Sequence, residues 1–245
     1  MLKILLFLLS MIISNSLLSQ SLTASFGPIF TKTNANPPVI NGKEDFENTD
    51  YMFAFSYEHF FKNKKYSLTG SYSKYDGCTF ILFEEGGYIG GGGTILAKGY
   101  CGGVDINRYD LGVSYLLTKS NKKIYVKPFL GAALQVTCKT GWDYWSDDGL
   151  PVNGPDYFEL EPISGEAKNT TQIVPTVGLR MGFVFWERID FGLSVQGVYA
   201  FKPYQKMALK YHYKGVIQPT AEYESTGTGL FVTLGVGYRF AKLIK

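Results

Sequence analysis

The segment GLFVTLGVGYRF (229–240) constrains the fold of this chain more than any other. From Leu230 every second residue is apolar or aromatic: Leu230, Val232, Leu234, Val236, Tyr238, Phe240. Between them lie Thr233, Gly235, Gly237 and Arg239. Successive side chains of a strand point to opposite faces, so the two sets occupy different sides. Seven further segments repeat the pattern, at 22–32, 50–61, 65–75, 104–117, 124–138, 172–185 and 189–203, with 226–240 as the eighth. Three spacers are short (62–64, 118–123, 186–188) and four are long (33–49, 76–103, 139–171, 204–225). Short and long alternate strictly. The segments therefore form an up-and-down meander, with short turns at one end and long loops at the other.

Two architectures hold eight meandering strands, a soluble ligand-binding barrel and a barrel in a membrane. A soluble barrel hides its apolar parity and wets its polar one. Here the polar parity carries Glu58, Arg108, Asp110, Lys127, Arg180, Asp190 and Arg239 among many glycines and serines. The apolar parity is large and rich in rings. An eight-stranded interior is just wide enough to be filled by side chains, and charges interleaved with glycine can fill it. Segments of this length cross a hydrocarbon layer when tilted, and closure satisfies every backbone group that lipid cannot. The expected fold is all-β: an eight-stranded antiparallel up-and-down transmembrane β-barrel with a polar, side-chain-filled lumen.

Composition agrees. The chain has 28 Gly, 18 Tyr and 18 Phe, which suits strands and turns better than helices. Tyr66, Tyr115, Phe185, Trp186, Tyr238 and Phe240 fall at the short-turn ends of their segments. Tyr51, Phe53, Tyr72, Tyr109, Tyr199 and Phe201 fall toward the long loops. Two belts of rings are what two membrane–water interfaces select.

The first residues, MLKILLFLLSMIISNSLLSQ, join one early lysine to an apolar run from Ile4 to Ile13 and then small or polar residues. They read as a secretory signal peptide over 1–19, leaving 20–245 as the barrel domain. An uncleaved anchor is the rival, but Ser14, Asn15 and Ser16 interrupt the run too early for a full span. The net charge of +3 falls to +2 when Lys3 leaves with the signal, which implies no nucleic-acid partner. Of the three cysteines, Cys78 and Cys101 bracket a long loop and are the candidate disulfide. Cys138 is left over, with Cys101 as an alternative partner.

The lumen charges are the main constellation. Asp190 and Arg239 lie one residue inside neighbouring strands and should form a salt bridge. Glu58, Lys127 and Arg180 share that lower half, with Arg108 and Asp110 higher. Buried charges must pair or cost several kcal/mol, so a plug is the first reading and a narrow ion path the second. Chemistry is sparse. His59 shares parity with the outward rings of its segment, and His212 (KYHYKG) lies on the last long loop, so the two cannot cooperate. The run GGYIGGGG (86–93) lacks the lysine and helix of a phosphate loop. DYWSDDG (143–149) lacks the spacing of a calcium loop. No catalytic set, cofactor or metal site is expected.

The long spacers hold fifteen acidic and seven basic residues, the short ones one acidic and six basic. Rings and apolar residues at Trp142, Tyr144, Trp145, Phe158 and 81–83 populate the long loops and suggest a contact surface.

From about residue 20 to 240 the chain resembles the small eight-stranded outer-membrane β-barrel family, of the type of the outer-membrane protein A membrane domain. The leader, the strand–loop alternation, KPFLGAAL (127–134) and the terminal GVGYRF carry the likeness. The resemblance implies a location in the outer membrane, lipid around the wall and loops outside. It also implies a final strand whose outward Tyr238 and Phe240 are read by the barrel-assembly machinery. AKLIK follows Phe240, so the aromatic is not the last residue. The expected role is structural or surface-interacting through four long loops, with an extracellular ligand there. The alternatives are a small passive pore and a lipid-modifying enzyme.

Overall fold

A computed structural model of the chain describes residues 20–36, 42–43, 48–61, 65–77, 79–86, 94–118, 123–148, 158–213 and 216–240. Eight strands make a closed antiparallel barrel: β1 (Gln20–Asn36), β2 (Asn48–Phe60), β3 (Tyr66–Asp76), β4 (Thr94–Tyr115), β5 (Ile124–Asp148), β6 (Thr170–Phe185), β7 (Ile189–Val198) and β8 (Ala221–Arg239). Each pairs with the next, and β1 pairs with β8 to close the ring. The expected all-β up-and-down barrel is therefore the observed fold. The signal-peptide segment lies outside the described residues.

The wall is inside-out relative to a soluble protein. Phe53, Phe55, Leu111, Leu130, Ile173 and Leu234 are exposed on the outer face. Glu58, Arg108, Lys127 and Asp190 are each no more than 3% exposed, facing the lumen. Rings pair along both rims. At the short-turn end, Tyr66 lies 5.1 Å from Tyr115 and Phe185 4.4 Å from Trp186, centroid to centroid. Toward the other end, Tyr72 lies 5.3 Å from Tyr109 and Tyr199 5.0 Å from Phe201.

The long-loop end departs from a plain set of loops. Strands β4 and β5 run on together above the wall, with Ala97–Gly102 facing Asp143–Asp148. Thr79–Gly86 adds to β4 as a hairpin arm. Elsewhere Gln205–Tyr213 pairs with Phe158–Ala167 on one side and with the start of β8 on the other. The expected seventh strand (189–203) stops at Val198. Side chains there replace the ladder: Gln172 Oε1 accepts from the N–H groups of Phe201 and Lys202, both at 2.9 Å. Thr228 Oγ1 accepts from Ala200 N–H at 2.9 Å and donates to its carbonyl at 3.0 Å. With its backbone satisfied in this way the chain turns inward, burying Ala200 and Tyr204. Strand β8 accommodates the change of partner by a bulge opposite Thr31 and Thr33, where Gly227 adopts φ +85°, a conformation that favours glycine.

Candidate functional site

Parity along the strands delivers charged side chains to a common lumen, and the short-turn half holds most of them. Lys127 Nζ (β5) donates to Glu58 Oε1 (β2) at 2.7 Å, across the barrel and not between adjacent strands. Ser67 Oγ donates to the same carboxylate oxygen at 2.5 Å. Arg239 (β8) donates to Asp190 Oδ2 (β7) through Nε at 3.0 Å and Nη2 at 2.8 Å. Tyr125 Oη donates to Asp190 Oδ1 at 2.5 Å and accepts from Arg180 Nε at 3.1 Å. Arg180 Nη1 completes the net 4.0 Å from Glu58 Oε2. Two carboxylates thus hold three cations, with Arg180 within 4.0 Å of both acids and Tyr125 hydrogen-bonded between Arg180 and Asp190. Such a cluster tolerates burial because each charge has an opposite charge and further donors or acceptors.

Tyr125 and Phe129 are lumen residues that charge and motif do not single out. Both share the parity of Lys127, which is the available signal. Each ring lies over the glycine opposite it in register, Tyr125 over Gly182 and Phe129 over Gly178. A Cβ on Gly182 would come 2.6 Å from Tyr125 Oη and 2.3 Å from the Phe191 carbonyl. The inward glycines therefore admit rings as well as arginines.

Higher in the barrel, fully buried Arg108 donates to Asp110 Oδ1 at 2.5 Å and stacks 4.6 Å from the Phe231 ring centroid. Gln196 Nε2 donates to the same Asp110 oxygen at 3.0 Å. Above this pair the interior turns apolar, with Ile29, Tyr75, Ile106 and Tyr204 packed together. Between the two ion groups lies a chamber of about 120 Å³, lined by Ser56, Ser71, Thr176, Ser194 and Thr233 among others. It has room and polar partners for several waters. The charge network below it and the apolar cluster above it are both built of buried side chains.

The remaining sequence candidates are dispersed. Tyr238 and Phe240 stand outward at the short-turn end, their centroids 5.5 Å apart. Phe240 N–H donates to the Gln20 carbonyl at 2.9 Å, which extends the β8–β1 seam by one residue. His59 packs edge-on against Phe61, not in the lumen. His212 lies at the other end, its backbone opposite Ile217 and Glu159. Cys78 lies outside the described residues, and with it the Cys78–Cys101 pairing. Cys138 is free and exposed. The alternative Cys101–Cys138 bridge fails on register: Cys138 faces Asp105 while Cys101 faces Tyr144. That four-residue offset along β4 is about 13 Å, beyond the reach of a disulfide. Among the described residues no group of three or more His, Cys, Asp or Glu is placed to hold a metal.

No family model matches this chain, and no curated protein matches it closely. Solved structures similar to it include outer membrane protein OprG of Pseudomonas aeruginosa, at 9% identity and TM-score 0.48, covering 91% of this chain and 97% of that one. A major outer membrane protein of Thermus thermophilus is 11% identical with TM-score 0.46, over 90% and 98%. Neisserial surface protein A is 11% identical with TM-score 0.42, over 90% and 96%. The barrel assignment rests on this chain's own strand register.

Proposed function

We propose that this chain is an integral outer-membrane barrel with a structural or surface-interaction role, displayed through its long-loop end. The observation that carries the reading is the outer wall. Leu130, Ile173 and Leu234, each 69% exposed, sit between two rims of rings, while the ions are inside. Water would penalise such a wall and lipid would not. Alternate apolar and aromatic positions ending at Tyr238 and Phe240 suit recognition by the barrel-assembly machinery, which is the partner the reading requires.

The contact role is supported by the extensions above the wall. Strands β4 and β5 continue past the barrel, and Ile163, Val216 and Ile217 are exposed near Phe158–Ala167 and Gln205–Tyr213. A filled lumen favours this role over conduction, and a scattered His59 and His212 give no catalytic pair. The test has two parts. Protease added to intact cells should clip the 79–102 and 139–167 extensions and leave the barrel strands protected. Purified protein in a planar bilayer should give no stepwise conductance. Steady single-channel steps would favour a passive pore, and protection of the extensions would reverse the orientation.

A further inference from the structure

The turn between β6 and β7 has a feature that neither the plug nor the outer sheets require. Trp186 and Glu187 both have positive φ, 46° and 63°. Two consecutive left-handed residues at the centre of a hairpin β-turn are normally Asn-Gly or Asp-Gly, because a Cβ is disfavoured in that region. Here the first position holds an indole that is 76% exposed and packs on Phe185. An amphipathic ring held outward at some strain suits a membrane–water interface.

Arg188 follows directly. Its Nη1 donates to Tyr238 Oη at 2.5 Å, and its guanidinium carbon lies 5.8 Å from that ring's centroid. Tyr238 belongs to the outer wall, so this cation bends outward, whereas Arg239 turns into the lumen. Among the described residues the hydrogen-bond partner of Arg188 is a neutral phenol, and no ion pair to it is formed. Lys65, Lys123 and Arg188 each precede an upgoing strand, and their carbonyls accept from Leu116, Val184 and Arg239 at 2.7, 2.8 and 2.7 Å. The three basic residues thus stand at one height around the rim. The short spacers carry six basic residues to one acidic, against seven to fifteen in the long ones.

We propose that the rim around Arg188, Trp186 and Tyr238 binds the phosphate headgroup of an anionic phospholipid. The guanidinium offers a planar, bidentate donor to a phosphodiester, and Trp186 and Tyr238 supply the interfacial rings beside it. The excess of acid at the long-loop end disfavours the same lipid there. This inference rests on the membrane-inserted reading above.

Trp186 is itself the reporter. The other tryptophans, Trp142 and Trp145, lie in the part of β5 above the wall, and the double change Trp142→Phe, Trp145→Phe leaves Trp186 alone. In vesicles of brominated phosphatidylglycerol or brominated phosphatidylcholine, Trp186 fluorescence should be quenched by both. The anionic lipid should win by roughly fivefold in relative binding constant, the factor one basic residue near an anionic surface supplies. Arg188→Gln should bring the ratio close to one, Arg188→Lys should keep part of it, and high salt should lower it. A ratio near one in the parent, or one unchanged in Arg188→Gln, overturns the inference. Should Arg188→Gln not fold by heat-modifiable mobility, the parent's salt dependence decides: a ratio indifferent to salt overturns it. Absence of quenching by either lipid would instead defeat membrane insertion itself.

Discussion

Arg239 reaches Asp190 diagonally across the β7–β8 pairing: Asp190 faces Gly237 in register, and both guanidinium contacts fall on Asp190 Oδ2 at 3.0 and 2.8 Å. The same carboxylate accepts from Tyr125, so one buried acid ties three strands together.

Removing that acid should be costly. Asp190→Asn leaves Arg239 and Arg180 facing each other's charge, and the expected loss is about 3–5 kcal/mol of unfolding free energy. The double change Asp190→Asn with Arg239→Gln should cost less than the sum of the two single changes. Urea unfolding in vesicles, followed by gel mobility without boiling, measures both. Additive effects would mean that the pair is not coupled.

Glycines on the two faces should respond differently. Gly182→Ala forces a Cβ to 2.3 Å from the Phe191 carbonyl and 2.6 Å from Tyr125 Oη, and should destabilise by about 1–3 kcal/mol. Gly70→Ala meets nothing within 4 Å and should be neutral or slightly stabilising. Equal effects in denaturation midpoints would contradict the ring-over-glycine packing.

Gln172 should matter locally. Gln172→Ala removes the acceptor for the Phe201 and Lys202 N–H groups, so 199–204 should lose hydrogen-exchange protection while β6 and β7 keep theirs. Loss of protection throughout the barrel would show that this turn is not a separate unit.

The long-loop rim should respond to pH through Asp76, which faces Asp105 across the β3–β4 pairing. Partial burial, then the Asp105 charge and its hydrogen bond, raise the Asp76 carboxyl above the ordinary aspartate range, while Lys74 opposes the shift. A raised folded value means that its favourable contribution is complete below the unfolded pKa of about 3.9. It is lost as pH climbs through the folded value. Asp76→Asn should therefore be more stable than the parent at pH 7 and nearly equal to it at pH 3. The reverse order of denaturation midpoints would contradict the shift.

Much of the architecture is open to reading because a strand's period is two. Once Leu230, Val232 and Leu234 share a face, Thr233 and Gly235 must share the other, and the same holds for Lys127 and Tyr125. Short spacers such as 186–188 leave no choice but an antiparallel neighbour. Asp190 and Arg239 can be matched because they lie on adjacent strands near a common end. Parity gives no warning that Gln172 caps the chain after Val198, or that Tyr204 folds over the lumen. Those depend on side chains replacing a ladder in three dimensions.

Alternation and spacer length therefore determined by themselves the order of the strands and the side each residue faces, since both follow from backbone geometry along one strand. Only the closed tertiary structure decided that Lys127 meets Glu58, that Tyr125 bridges Arg180 to Asp190, and that Cys101 and Cys138 stand apart. Contacts across a lumen depend on the circumference and stagger of the whole ring, and no single segment carries that information.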